Sequence, residues 1–192
     1  MSSLTVDFII SLDGYAAADG WPGYWGMEGP EYLAFIGDGA ENEHTTLMGA
    51  TTYRLMSGFA AEMADDPGMA GLTAMPKVVF SSTLKEPLSW ANTELVGEDA
   101  VEAVQDMKRR GGRDLRTLGS LSLSRSLLAA GLVDRFRVVV FPVITGATGK
   151  ERIFDEYPDI ALDLVESRTF DGRLQLLEYV PTVLDGPPGA GD

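Results

Sequence analysis

Leu4, Val6, Phe8 and Ile10 alternate with Thr5, Asp7 and Ser11, which predicts a strand with one buried face. A long Gly- and aromatic-rich loop follows, "SLDGYAAADGWPGYWGMEGP". Pro30 suits the first turn of a helix whose apolar face is Tyr32, Leu33, Phe35 and Ile36, ending at Gly37 and Gly39. "HTTLMG" predicts a strand, "ATTYRLMSGF" a helix closing near Gly58, and "MADDPGMAG" a surface loop. "KVVFSS" reads as a buried strand and "NTELV" as a second. Ala100, Val101, Val104 and Met107 share a helical face, with Asp99 as cap and Gly111 and Gly112 as stop. "LRTLG" is a strand, "SLSRSLLAA" a helix stopped by Gly131, and "DRFRVVVFPVI" a long strand. "ALDLVESRTF" and "RLQLLEYVPT" form a hairpin about Asp171-Gly172. Strands alternating with helices predict an α/β fold: a largely parallel sheet covered on both faces, made mixed by the C-terminal hairpin.

No repeat or linker divides the chain, so residues 1–184 are expected to form one domain and the Pro/Gly-rich stretch 185–192 a disordered tail. The 192 residues, 45% hydrophobic and 23% charged, have the balance of a soluble globular protein. The N-terminus has no signal-peptide pattern and no apolar run is long enough for a bilayer, so the expectation is a cytoplasmic protein without a membrane partner. The absence of cysteine excludes disulfides and thiolate metal sites, and the single histidine, His44, excludes a histidine cluster. His44 itself reads as a surface residue. The formal charge of −14 argues against a nucleic-acid partner. An anionic ligand would have to be held by backbone N–H groups and a few local cations.

One place suits that chemistry. Gly119 and Ser120 close a strand and open a helix, where free N–H groups attract an anion and glycine lets it approach. An ordinary strand-to-helix turn with a serine cap accounts for the same residues.

The stretches "SLDGYAA", "LMGATTY", "PKVVFSSTL", "TLGSLSLSRSLLAAGLVDRFRVVVFPVITGATGKERIF" and the closing hairpin, taken in order, resemble the dihydrofolate reductase superfamily. They are most similar to the reductase domain of the bifunctional riboflavin-biosynthesis deaminase/reductase and its small stand-alone relatives. The resemblance runs from Leu4 to about Val183. It implies a three-layer α/β/α fold with an eight-stranded mixed sheet, NADPH bound across the strand ends, a small-molecule substrate and a homodimer. Gly119, Ser120, Leu121 and Ser122 then fall at the pyrophosphate, although the family has a second glycine where Ser120 stands. Gly49, Thr51 and Thr52 give a second phosphate-facing turn. Ala50 replaces the usual basic residue there, with Arg54 the nearest substitute. Ser81, Ser82, Thr83 and Lys85 match the segment that holds the 2′-phosphate. Lys77 and Lys85, two of only four lysines, flank this strand. Ala17 aligns with the nicotinamide carboxamide contact, and Gly146 lets backbone approach the ligand. Asp13 lies near the substrate and would serve as proton donor if burial raised its pKa. Trp21 and Trp25 suggest a lid. Tyr32, Tyr53, Phe141, Pro142 and Val143 suggest substrate walls, and Glu31 stands near the place of the pterin-binding acid, as does Glu28.

Two functions follow. The first is an NADPH-dependent reductase transferring a hydride to a pterin-like or pyrimidine-like heterocycle or other unsaturated substrate. The second is a non-catalytic binder of a flavin, folate or metabolite on the same fold, for which Ala50 and the missing second glycine speak. The chain lacks the Cys and His zinc ligands of a deaminase domain.

Overall fold

The computed structural model describes residues 1–21, 23–38 and 43–189. Gly39 and residues 190–192 of the expected tail therefore lie outside the described residues. In chain order the elements are β1 (Leu4–Ser11), β2 (Tyr15–Ala18), α1 (Pro30–Ile36), β3 (His44–Gly49), α2 (Ala50–Glu62), α3 (Pro67–Ala74), β4 (Lys77–Phe80) and β5 (Thr93–Val96). They continue with α4 (Ala100–Arg110), β6 (Asp114–Thr117), α5 (Leu121–Ala129), β7 (Arg135–Phe141), β8 (Gly149–Arg152), β9 (Ile160–Phe170) and β10 (Leu174–Val183).

Eight strands form one sheet in the order β5-β4-β3-β6-β1-β7-β10-β9. The six strands from β5 to β7 run parallel, and the β9–β10 hairpin adds antiparallel to β7. The alternation in β1 sorts the two faces. Leu4, Val6, Phe8 and Ile10 pack with Val104 of α4 and with Leu123, Leu127 and Leu128 of α5. On the other face Tyr32 of α1 packs with Val139, Phe141, Phe170 and Leu174, and Tyr53 of α2 packs with Met48, Val79 and Trp90. Helices thus cover both faces, as the sequence pattern requires. Each fully buried Leu or Phe in these layers contributes roughly 1.5–3 kcal/mol.

β1 is central, pairing with β6 on one side and β7 on the other. The chain leaves β1 toward α1 on one face and leaves β6 toward α5 on the opposite face. Connections that diverge in this way open a crevice above the strand carboxyl ends, the usual ligand position in such sheets.

Several expectations change. The "MADDPGMAG" stretch is not all loop: Asp66 accepts a hydrogen bond from the Met69 N–H at 2.8 Å and Pro67 opens α3. Asp and Pro before a short apolar run form a helix start that loop composition masks. α2 continues through Gly58 to Glu62, because nothing there needs a left-handed turn. His44 is buried and begins β3 rather than lying on the surface. The loop after β1 contains β2, which pairs antiparallel with β8 in a separate two-stranded sheet. The Asp99 cap holds as read, accepting from the Val101 and Glu102 N–H groups at 2.9 and 3.1 Å.

Candidate functional site

Strand register sets the residues singled out in sequence side by side. Gly49 is opposite Phe80, Leu47 opposite Thr117, and Ser11 opposite Phe141. The turns after β4, β3, β6, β1 and β7 therefore line one edge of the sheet, in that order.

The β3 and β6 turns meet most closely. Gly119 has φ 54° and Ser120 φ 68°, two successive left-handed residues, so the family's paired glycines have a conformational reason. A Cβ on Gly119 would lie 3.6 Å from Thr52 Oγ1, in ordinary contact, so the backbone angle and not crowding makes glycine suitable there. Ser120 does not cap its own helix. Its Oγ accepts the Gly49 N–H at 2.7 Å and lies 2.8 Å from Thr52 Oγ1, joining the start of α2 to the start of α5. Leu118 O, at 3.5 Å, is a marginal acceptor for it. Ser120 and Thr52 share one proton between them, so one hydroxyl proton of the pair is left for another acceptor. The first-turn N–H groups of α5, Leu121 and Ser122 among them, have no acceptor within the helix and carry the positive end of its dipole. The corner is thus a donor-rich place, but Ser120 has taken one donor, the Gly49 N–H, out of it. Ala50 adds no cation, Thr51 is exposed in the first turn of α2, and Arg54 is exposed one turn along.

After β4, Ser81 Oγ accepts the N–H groups of Thr83 and Leu84, both at 3.1 Å, and so shapes its loop. Ser82, Thr83 and Lys85 are exposed. Lys77 does not belong with them. It is 1% exposed, and its ammonium donates to the carbonyls of Leu72, Thr73 and Met75 at 3.0, 2.9 and 2.7 Å, closing the end of α3. It also lies 4.7 Å from the Trp90 ring centre. Burial lowers its pKa to about 8.

Asp13 takes a role opposite to the one expected. Ser11 Oγ donates to its carboxylate at 2.6 Å, the Gly146 N–H at 2.9 Å and the Thr145 N–H at 3.2 Å. These bonds, the Ser11 hydroxyl first, lower its pKa to about 2. Asp13 is half-exposed, so burial does not supply the raised pKa that a proton donor needs. It clamps the turn after β1 to the turn after β7, beside the β2–β8 pair in which Ala17 faces Lys150. Gly146 is exposed at the tip of this clamp, φ 50°. Ser11 and Thr145 were not singled out in sequence. A serine two residues before an aspartate in a turn is common, and the long-range partner has no local signal.

The expected substrate walls separate. Phe141 is 0% and Tyr32 2% exposed, so neither offers a free face. Burial raises the Tyr32 pKa. Tyr53 is buried too, and its hydroxyl accepts the N–H groups of Ser89 and Trp90 at 2.9 and 3.3 Å. Aromatics near a loop can line a pocket or fill a core; contrary to the expectation from sequence, Tyr32, Phe141 and Tyr53 are core. Pro142 is exposed and Val143 half-buried at the strand exit. Glu31 is also engaged: its carboxylate accepts the Asp171 N–H, while Asp171 accepts the N–H groups of Glu31 and Tyr32 at 3.0 and 3.1 Å. The hairpin turn thereby caps α1. Gly29 makes this contact possible, because a Cβ there would come within 2.2 Å of Asp171 Cγ.

Over Phe141 sits the loop that carries Trp21 and Trp25. Tyr24 stacks on Phe141 with centroids 6.1 Å apart, and Trp25 lies 5.5 Å from it. Trp21 and Trp25 are 5.8 Å apart. Gly23, Tyr24, Trp25 and Gly26 all have positive φ: 80°, 46°, 48° and 64°. For Tyr and Trp this costs on the order of 1–2 kcal/mol each.

A groove of about 520 Å³ lies elsewhere, between β5 and α4, beside Glu94, Glu98, Asp106 and Arg110. The glycine turns and the clamped Asp13 are not part of it. Hydrogen-bond donors converge at the turns, whereas the charged lining of the groove is mixed, Glu94, Glu98 and Asp106 against Arg110 and Arg113. Among the described residues no group of His, Asp and Glu is arranged to hold a metal, and no helix is long and apolar enough to cross a membrane.

The topology defines a dihydrofolate reductase-like α/β protein. The structure superposes on a dihydrofolate reductase from Enterococcus faecalis complexed with NADP(H), with TM-score 0.60 at 14% identity over 93% of this chain and 96% of that one. It superposes on a provisionally assigned riboflavin biosynthesis protein from Shewanella sp. PV-4 with TM-score 0.71 at 22% identity, covering 94% and 99%. An uncharacterized Bacillus subtilis (strain 168) protein, YyaP, is 27% identical over 180 residues, 92% of this chain and 93% of its own. Residues 2–176 match the RibD C-terminal domain, and the chain belongs to that family.

Proposed function

We propose that the protein is an NADPH-dependent reductase that transfers a hydride to a small pterin-like or pyrimidine-like heterocycle. The observation that carries this reading is the junction at Ser120, where two helix starts from neighbouring strands converge within hydrogen-bonding distance. Family membership supports it. Gly119, Ser120, Leu121, Ser122 and Thr52 would hold the pyrophosphate. Thr51, Arg54, Ser81, Ser82, Thr83 and Lys85 would meet the adenosine side. When bound, the reduced nicotinamide supplies the hydride. The chain's own work is to fix the turn that carries Gly146 through Asp13, to align the reactants and to exclude water. With its pKa near 2, Asp13 is ionised at neutral pH, so it positions and does not protonate, and the proton comes from water. The working unit is residues 1–184, in cytoplasm, as a homodimer.

The test is thermal shift and tryptophan fluorescence with NADPH and NADH. NADPH is expected to raise Tm, and Gly119→Asp to abolish the response, since it sets a carboxylate where phosphate lies. A response that survives Gly119→Asp sinks the phosphate assignment. The binder alternative is favoured by a specific observation, the Gly49 N–H already taken by Ser120. It predicts a response to a flavin or folate and none to NADPH.

A further inference from the structure

The turn over Phe141 is held in a conformation that its own residues do not favour. Four consecutive left-handed residues include Tyr24 and Trp25, which resist that backbone. Among the described residues, Trp21 Nε1, Trp25 Nε1 and Glu28 Oε2 are buried without a hydrogen-bond partner, so two donors and one acceptor go unmet close together. The turn is closed by two backbone bonds, Gly26 N–H to Gly23 O at 3.2 Å and Met27 N–H to Tyr24 O at 3.0 Å. Against these costs stands ring burial, with Tyr24 and Trp25 on Phe141 and Tyr24 edge-on to Tyr32 at 5.6 Å. Phe141 ends β7, immediately before the turn that Asp13 clamps.

We infer that this turn is a plug: Tyr24 and Trp25 occupy a ring-binding place on Phe141, and a flat aromatic heterocycle takes that place by displacing them. The ligand class follows from what the place offers. Phe141 gives a π face and Tyr32 a ring set perpendicular to it, which suit a planar ring. Opening the turn returns both indole N–H groups and the Glu28 oxygen to water or to a ligand bearing complementary polar edges. Displacement also relaxes the left-handed residues, so the incoming ring replaces strained contacts by unstrained ones. This inference rests on the reductase reading only in placing the substrate ring at the end of β7.

The test uses lumichrome, a flat three-ring heterocycle without phosphate, on the full chain. Trp25→Gly removes the plugging ring and puts glycine where the backbone is left-handed. If the open state is about a tenth of the population, freeing the place tightens apparent binding roughly ten-fold. Tyr24→Gly is expected to act in the same direction. In the wild-type protein labelled with 5-fluorotryptophan, saturating lumichrome should move the Trp25 resonance toward its solvent-exposed position and leave that of Trp90 in place. Equal or weaker binding in both variants, no binding to any of the three proteins, or an unmoved Trp25 resonance at saturation overturns the plug. NADPH is titrated into the same samples. A retained NADPH response beside a failed lumichrome test removes the plug alone, and the converse removes the reductase reading alone.

Discussion

Replacing Asp171 tests how a turn at the far end of the chain holds the first helix. α1 has only seven residues, and its N-cap, Gly29, has no side chain to satisfy the first-turn N–H groups. Asp171 does so from 140 and 139 residues away, at 3.0 and 3.1 Å. Removing a side-chain cap costs about 0.5–2 kcal/mol, and here two N–H groups are served, so about 1–2 kcal/mol is lost in Asp171→Ala. Asp171 also has φ 51°. Alanine tolerates that region worse than aspartate, which adds about 1 kcal/mol. The total is about 2–3 kcal/mol, and for a chain of this length each kcal/mol shifts Tm by roughly 2–4 °C. Calorimetry should therefore show Asp171→Ala melting roughly 5–10 °C lower. Asp171→Gly loses the cap but gains backbone freedom and should fall about half as far. Asp171→Asn keeps one acceptor oxygen and should fall least. If Ala, Gly and Asn variants melt together, or Ala melts within a degree of wild type, the hairpin does not cap α1 in the way described.

Lys77→Met leaves the carbonyls of Leu72 and Met75 without the ammonium and that of Thr73 with only the Asn92 side-chain N–H, and should lower stability by roughly 2–4 kcal/mol in urea unfolding, with the NADPH response retained; a lost response with unchanged stability would return Lys77 to the cofactor. Asp13 has a depressed folded pKa, about 2 against roughly 3.9 in an unfolded chain. Its contribution to stability is therefore present above about pH 4 and disappears as pH falls toward 2, so the Tm gap between wild type and Asp13→Asn should be constant above pH 4 and close below it. A gap that widens on acidification would reverse the sign and the reasoning. β9 exposes Leu162, Leu164 and Val165 along an edge strand, and we expect a dimer mass in light scattering that Leu164→Glu converts to monomer; a wild-type monomer at micromolar concentration removes the proposal.

The layered fold was legible because β1 carries period-two patterning, β7 a short continuous apolar run, the hairpin an Asp-Gly turn and α4 helix-period patterning, all of them local signals. The Gly119-Ser120 turn was legible as a strand-to-helix junction, but the destination of the Ser120 hydroxyl was not. It depends on Gly49, 71 residues away, which only the β3–β6 pairing brings near. Asp13 was misjudged for the same reason: its pKa is set chiefly by Ser11 and by the N–H groups of Gly146 and Thr145, and only the first is local. Tyr32, Tyr53 and Phe141 show a different limit. An aromatic residue is equally at home in a core and in a pocket wall, and composition does not separate the two. Lys77 shows a third, since a lone cation in an acidic chain invites a ligand, yet the nearest unpaired carbonyls were those of its own chain.

The central position of β1 bears on how the chain is made. Synthesis delivers β1 before the other strands of its sheet, yet its register partners are Leu115 and Arg116 on one side and Arg135 to Phe141 on the other. For most of translation both its edges are unpaired and its apolar face is uncovered, until α5 and β7 emerge. Pairings across such sequence separations make for slow, non-local assembly. A ribosome-bound chain halted before residue 135 should consequently remain sensitive to protease through β1, and acquire resistance once β7 has left the exit tunnel.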